Sequence, residues 1–468
     1  MALRARRMVD AARMNVPEGT FAIGAGLILV AAAAWGYQIL AEQKLTDPGY
    51  NAVNALWVLT FVATPGFFQP LEQEVSRAIA HRRAEGVGGG PVLWRAARLG
   101  LILTTTLAVA SLVIAFAAPS VVHQLFKNQP DQWILLAAFI IALFTYAVAF
   151  LARGALSGNG RFRNYGLMQG TEGVTRIIAV GAVVVFTQKV ATDSHGASHS
   201  YASPGWFALA LTLPPIIAVT VSLWGQHGLA KPGPEAPYSE LSSALAWLLS
   251  ASVLAQLLSY APVFATELLV KNDAKSQAAL AGFVTAMFLA RVPLLMFQAV
   301  QAALLPKLSA NAAEGKHDEF RNGLIRLLFI VLGIALVGVL GSLAIGKPVG
   351  KIIFHAKWTL NNGNLALLAA GAGAYIIAFT LAQGLIALRG YSRLTLGWAL
   401  GAIAFLVVMP FGLPGFAHDI FTRAELAFLA SSTVAAVAIT VQLFRTMKTS
   451  TVSFEELVDV IHHEPLEF

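Results

Sequence analysis

The chain contains no cysteine and little charge, with Asp, Glu, Lys and Arg together making up 12% of its 468 residues. The first absence removes disulfides, thiolate metal sites and thiol chemistry. The second removes a soluble body, because a water-soluble domain carries about 25% charged residues. Also lacking is any Gly-x-x-x-x-Gly-Lys-Ser/Thr stretch, so no ATP-hydrolysing loop is expected. Gly86 to Gly90 is glycine-rich but runs into Pro91. There is no nucleophile elbow, no paired acid/base constellation and no long segment outside the hydrophobic blocks to house one. His195 and His199 would pair on a metal only if their Gly196-containing loop were helical, and a solvated loop is expected instead. His462-His463 in the tail is no better placed. The sequence therefore calls for no enzyme activity, no cofactor, no metal and no nucleic-acid partner.

What is present is hydrophobicity, 57% of residues and a mean hydropathy of +0.68. It falls in blocks of roughly 20 residues, the length a helix needs to cross a ~30 Å hydrocarbon core. Backbone groups in lipid must pair internally, which makes such blocks helices. Twelve spans are expected, at 17–40, 50–69, 97–118, 132–152, 166–187, 205–224, 243–266, 279–304, 323–345, 364–388, 395–416 and 424–444. The first is too long for a cleaved signal, and Trp35-Gly36-Tyr37-Gln38 makes a poor cleavage site.

Of the 32 Lys and Arg residues, 21 fall at the termini and even-numbered connectors, nine at the odd connectors, and Arg176 and Arg291 inside spans. That asymmetry predicts both termini in the cytoplasm of a multi-pass cell-membrane protein. Two cytoplasmic connectors read as soft: Gly86-Val87-Gly88-Gly89-Gly90-Pro91 and Lys231-Pro232-Gly233-Pro234-Glu235. The second would join two halves. The expected organisation is a six-helix lobe over 1–228, a linker over 229–242, a second six-helix lobe over 243–446 and an acidic tail over 447–468. Within that tail, Ser453 to Asp459 reads as a short amphipathic helix too acidic to dock on an anionic leaflet.

The halves repeat. Phe68-Gln69 recurs as Phe297-Gln298 and Glu85-Gly86 as Glu314-Gly315, both 229 residues on. Phe126 matches Phe354 at 228, and Leu151-Ala152-Arg153-Gly154 matches Leu381-Ala382-Gln383-Gly384 at 230. An offset of six spans puts both halves in the same orientation, the arrangement in which transporters bind substrate between halves.

Ionisable residues in mid-membrane are costly, ~2.5–3.5 kcal/mol on insertion scales, and usually face a cavity or a partner. Arg291, followed by Pro293 in span eight, offers a planar fork suited to phosphate or carboxylate. It reads as an anion-binding residue, with pairing to a buried carboxylate such as Glu267, or snorkelling, as the alternatives. Glu172 and Arg176 stand one turn apart in span five and neutralise one another as a structural pair; a proton- or cation-coupling carboxylate is the other reading. Gln69, Glu72 and Glu74 lie at the inner end of span two, and Gln298 and Gln301 occupy the matching stretch of span eight. Gln69, Gln298, Gln301 and Asn54 read as substrate contacts beside Arg291, and Glu72 with Arg77 as an inner mouth or gate. Glu74 reads as a solvated interface charge. Helix–helix hydrogen bonding is the plainer account of most such polar residues. Prolines in or beside spans, Pro65 and Pro262 among them, permit bending.

Three segments carry a family resemblance: Phe68-Gln69-Pro70-Leu71-Glu72-Gln73-Glu74-Val75-Ser76-Arg77, Ala152-Arg153-Gly154-Ala155-Leu156-Ser157-Gly158-Asn159-Gly160-Arg161-Phe162, and the stretch from Ala290-Arg291-Val292-Pro293 through Gln301 to Pro306. With the twelve-span layout, the chain resembles the polysaccharide-flippase branch of the multidrug/oligosaccharidyl-lipid/polysaccharide exporter superfamily, in its actinobacterial form. The resemblance implies an all-α membrane fold of two six-helix lobes in a V, like that of multidrug and toxic-compound extruders, with spans one, two, seven and eight lining a cleft. It implies transport of a lipid-diphosphate-linked saccharide from inner to outer leaflet, with Arg291 on the pyrophosphate. Implied partners are that lipid-linked oligosaccharide, membrane lipids, and the glycosyltransferases or polymerase of the same pathway. Two C-terminal helices found in lipid II flippases are missing, which argues against a peptidoglycan precursor. A cation-coupled multidrug exporter and a non-transporting glycolipid-binding scaffold are the competing expectations.

Overall fold

Several helix starts are written in capping residues. Thr46 accepts the Gly49 N–H ahead of the helix that begins at Asp47, Asp273 accepts the Ser276 N–H ahead of the next, and Asn361 accepts the Asn364 N–H ahead of a third. Each fills a donor that a helix N-terminus leaves open. Asp273, in a connector, also accepts the Ser276 hydroxyl, and these bonds hold its carboxyl below the ordinary carboxylate range. The computed structural model describes residues 20–187, 189–192, 198–237, 245–271, 273–291, 294, 316–354, 361–411 and 419–463.

Among the described residues the helices are α1 (Thr20–Lys44), α2 (Asp47–Ala84), α3 (Gly90–Ala117), α4 (Pro119–Leu125), α5 (Gln132–Gly158), α6 (Phe162–Phe186), α7 (Pro204–Thr212), α8 (Pro214–Leu223), α9 (Leu245–Leu269), α10 (Ala274–Ala290), α11 (His317–Phe354), α12 (Asn362–Ala387), α13 (Tyr391–Phe411) and α14 (Ile420–His463). Pro214-Pro215 divides span six into α7 and α8, because proline cannot donate to the preceding turn. Eleven segments of this set are long and apolar enough to cross a membrane, and α10 is a shorter apolar helix. Large apolar side chains such as Phe116, Val337 and Leu406 stand on the outside, as lipid-facing residues do. The chain is a multi-pass membrane protein, all-α apart from a two-stranded ribbon.

That ribbon corrects one expectation. The loop holding His195 and His199 was expected to be irregular, yet its flanks, β1 (Lys189–Thr192) and β2 (Ser198–Tyr201), pair antiparallel. His195 itself lies outside the described residues. The acidic tail continues α14 as one helix to His463 instead of starting a separate one.

Helix starts at Asp47, Gly90, Gln132 and Phe162 recur at Ala274, His317, Asn362 and Tyr391, displaced by 227, 227, 230 and 229 residues. Contacts divide the chain into two compact units. The first includes Met1–Leu56 and Phe68–Ser242; the second includes Trp57–Phe67, Ser243–Phe297 and Leu304–Phe468.

Within the first unit, glycines bring helices to backbone contact. A Cβ on Gly166 would strike the Ala22 carbonyl, and one on Gly26 would strike the Gly166 carbonyl, so α1 and α6 lie directly against each other. Gly154 and Gly158 on α5 meet the carbonyls of Glu72 and Ser76 on α2 in the same way. Both surfaces carry a Gly-x-x-x-Gly spacing, Gly166/Gly170 and Gly154/Gly158, the pattern by which membrane helices approach closely. In the second unit Gly397 and Gly401 repeat the device, meeting Ile439 and Ala435 on α14.

The two soft connectors turn out to be fastened together within the first unit. Gly86, at φ +74°, reverses the chain in the left-handed region open to glycine. The Gly90 N–H then donates to the Lys231 carbonyl at 2.8 Å. Arg82, 5% exposed, donates to the carbonyls of Gly88, Pro234 and Glu235 at 3.2, 2.8 and 3.3 Å. Arg95 reaches the Glu235 carboxylate at 3.3 Å, and Ala236 enters the adjoining core with Val75, Ile79 and Val92. Composition suggested slack because glycine and proline lack side-chain contacts; here their bare carbonyls are what the guanidinium binds. Arg82→Ala is expected to release the 230–236 segment. Losing hydrogen bonds from a charged group, at about 1.5–3 kcal/mol, corresponds to a roughly tenfold or greater rise in local opening. Limited proteolysis of the purified protein, scored by cleavage within 230–236, checks this.

Candidate functional site

Two groups of polar side chains sit inside the units, one in each. In the first unit, Glu172 on α6 is the hub. One carboxylate oxygen accepts Arg176 Nη2 at 2.5 Å and the Tyr146 hydroxyl at 3.2 Å; the other accepts Arg153 Nη2 at 2.7 Å. Arg176 Nη2 also donates to the Tyr146 oxygen at 2.8 Å, and the Arg153 guanidinium lies over the Phe150 ring. Glu172 and Arg176 come from successive turns of α6, and Tyr146, Phe150 and Arg153 from the facing side of α5. All three charged side chains are nearly withdrawn from the surface, at 3%, 1% and 9% exposure. Glu72 on α2 lies within electrostatic reach of Arg153 and accepts the Tyr165 hydroxyl at 2.9 Å. Two carboxylates thus balance two guanidiniums.

Arg153 is a correction. With span four expected to end at 152, Arg153 falls one residue into the connector that follows, among the positive charges of the cytoplasmic side. Helix α5 runs on to Gly158 and buries it. The helix continues because Gly154 and Gly158 let α5 lie against α2, so polar Arg153 remains inside the bundle with Glu172 as counter-charge.

Glu72 and Arg77, expected to act together at a mouth, are not in contact. Five residues of helix turn them about 140° apart. Arg77 pairs instead with Glu74 at 2.8 Å, one turn back on its own face. Glu74, expected to be solvated, is buried. Gln69 is half-buried. Asn54 is fully buried, and neither of its amide atoms has a hydrogen-bond partner among the described residues. Gln298, Gln301 and Pro293 lie outside the described residues.

In the second unit, Arg291 stands at the C-terminal cap of α10, at φ −90° and ψ −3°. The span was expected to continue through it; the described helix ends there. A cation is favoured at a helix C-terminus by the backbone dipoles. Its Nη2 donates to the Ser259 hydroxyl on α9 at 2.7 Å, and the guanidinium carbon sits 3.6 Å from the centre of the Tyr260 ring. Such a stack gives about 0.5–2 kcal/mol without neutralising the charge. Among the described residues these are its hydrogen-bond and ring partners, Tyr375 on α12 lies within its electrostatic reach, and Glu267 on α9 forms no ion pair with it. Arg291 is half-buried. Ala290, the residue before it, lines an apolar groove of about 210 Å³ whose walls include Gly338 and Gly341 of α11 and Ala372 and Ile376 of α12.

Sequence reasoning missed Glu425. It lies in α14, fully buried, with one oxygen accepting the Asn364 amide at 2.7 Å. Its place at the first turn of span twelve (424–444) disguised it as a connector charge. Among the described residues, no cluster of three or more His, Cys, Asp or Glu is arranged to hold a metal.

This architecture is the fold of the multidrug and toxic-compound extruders. The chain superimposes on a point mutant of the Vibrio cholerae MATE transporter VcmN with a TM-score of 0.68 at 15% identity, covering 92% of this chain and 96% of that one. It superimposes equally broadly on the inward-facing conformation of a multidrug resistance MATE family transporter of the MOP superfamily, with a TM-score of 0.66 at 14% identity over 90% and 96% of the two chains. In sequence it is similar to the uncharacterized protein Rv1510 of Mycobacterium tuberculosis, 25% identical over 439 residues, or 92% of this chain and 94% of the relative. It is also similar to the uncharacterized protein Rv3630 of the same organism, 23% identical over 399 residues, or 84% and 85%. No family model matches the chain.

Proposed function

We propose that this chain is a membrane transporter of the flippase type, carrying a lipid-diphosphate-linked saccharide from the inner to the outer leaflet by alternating access, with both termini in the cytoplasm. The observation that carries the reading is Arg291. A guanidinium held in a membrane helix bundle by a hydroxyl and an aromatic face keeps its full charge and spare donors. An anionic group that enters the membrane region with a hydrocarbon tail is the natural counter-charge, and diphosphate matches the planar fork. The apolar groove beginning at Ala290 supports an amphiphilic cargo, since it offers hydrocarbon surface next to the charge. Asn54, Gln69, Gln298 and Gln301 are the proposed contacts for the sugar hydroxyls.

The Glu172 network is read as structural: both of its guanidiniums are already bound to carboxylate. Glu72 and Arg77, lacking mutual contact, are proposed only as separate residues near the inner end of α2.

Arg291→Ala is expected to abolish accumulation of the lipid-linked glycan in the outer leaflet, measured by accessibility to an impermeant lectin or periodate in intact cells. Arg291→Lys keeps the charge and loses the fork, and is expected to retain about a tenth or less of the transport, on about 1.5–3 kcal/mol for a charge-assisted bond. Unchanged export in Arg291→Ala would count decisively against the reading. A multidrug exporter is the second reading, favoured because solved transporters of this fold include a multidrug resistance protein. Drug susceptibility of a deletion strain separates the two.

A further inference from the structure

The second unit buries a carboxylate that anion binding does not use. Glu425 is 0% exposed; its Oε2 accepts the Asn364 amide at 2.7 Å, while its Oε1 has no hydrogen-bond partner among the described residues. Both partners belong to the same unit, Glu425 on the first turns of α14 and Asn364 on the first turn of α12.

The charges around it decide its state. Arg423, two residues earlier, turns its Nη1 to the Pro410 carbonyl at 3.0 Å. Asp419 already occupies the N-terminus of α14, accepting the N–H groups of Phe421 and Thr422 at 3.1 and 3.2 Å. The favourable field of that helix end therefore serves Asp419, whose own negative charge bears on Glu425. Across the interface α12 contributes the neutral amide of Asn364, and no described ion pair joins Glu425 to a Lys or Arg. An isolated ionised carboxylate in such a place is far costlier than a neutral one.

We propose that Glu425 is a proton-exchange site: it takes one proton on Oε1, passing from −1 to 0, and returns it to water, with Asn364 as the neutral donor that positions the carboxyl. Asn364 is half-buried and Asn361, one turn earlier, is exposed, so protons reach Glu425 from the face on which α12 and α14 begin. With the termini in the cytoplasm, that is the outer face. A membrane carboxylate alternating between these forms is a means of drawing on a proton gradient. Only that use rests on the transporter reading; the site itself does not.

The test is pH-difference infrared spectroscopy on the full-length protein in lipid nanodiscs. The wild type is expected to show a protonated-carboxyl C=O band that shifts in D2O and disappears as pH rises. Glu425→Gln, which keeps an acceptor for Asn364, is expected to lack that band and to leave the remaining difference spectrum intact. Asn364→Leu is expected to move the band's frequency and its pH midpoint without removing it. An unchanged band in Glu425→Gln overturns the proposal. So does a band abolished by adding sodium at fixed pH, which would make the site one for a metal cation. Because the readout needs no cargo, loss of the flippase reading leaves this result interpretable.

Discussion

Glu172→Ala is expected to destabilise the first unit by about 3–5 kcal/mol, the penalty for leaving buried charge unpaired. The large value follows from the geometry: one carboxylate serves Arg153 at 2.7 Å and Arg176 at 2.5 Å, so a single truncation removes an ion pair from each of two buried guanidiniums. The thermal midpoint of the detergent-solubilised protein, followed by size-exclusion chromatography of a fluorescent fusion, is the measurement. A companion variant distinguishes structure from function. Replacing Glu172, Arg153 and Arg176 by Leu, Met and Met together with Glu72→Gln removes every charge of the cluster at once, and such neutral substitution of a buried ionic cluster is often neutral or stabilising. A fold-supporting network predicts recovery of the midpoint and of transport. Recovery of the midpoint alone would assign the network a part in the transport cycle.

Gly166→Val is expected to be comparably severe. The added Cβ meets the carbonyl of Ala22 and the start of Ile23, which are backbone atoms and cannot rotate aside. Overpacking of this kind costs typically 1–3 kcal/mol, and more where nothing yields, so loss of folded protein from the membrane fraction is expected. Gly181→Val provides the control. It lies on the same helix with nothing within 4 Å of the new Cβ, and its melting midpoint and expression are expected to stay within error of the wild type.

These cases mark what the sequence disclosed. Helix number and order were legible because hydrophobic blocks of membrane length admit one backbone solution, and the 229-residue repeat reappears as paired helix starts. The Glu172–Arg176 spacing was equally plain, since four residues along a helix bring side chains onto one face whatever surrounds them. Partners from other helices were not legible. Arg153 looked like a topology signal because positive charge at a span's end usually is one, and only the α2–α5 glycine contact reveals that its helix continues. Arg82 was hidden for the same reason: a connector arginine tells nothing about which carbonyls will surround it. Glu425 required knowing that α12 and α14 are neighbours. The glycine pairs were visible as spacings, yet their use depends on which backbone lies opposite, and periodicity does not specify that.

The balanced quartet in the first unit also bears on energetics across a polarised membrane. A voltage of 100 mV does about 2.3 kcal/mol of work on each elementary charge that traverses it. Glu72, Glu172, Arg153 and Arg176 formally sum to zero, so the potential has no net handle on that cluster. On the transporter reading, voltage sensitivity, measured as the dependence of transport on an imposed potassium diffusion potential, is expected to involve Arg291 in the second unit, which makes no ion pair with a carboxylate among the described residues.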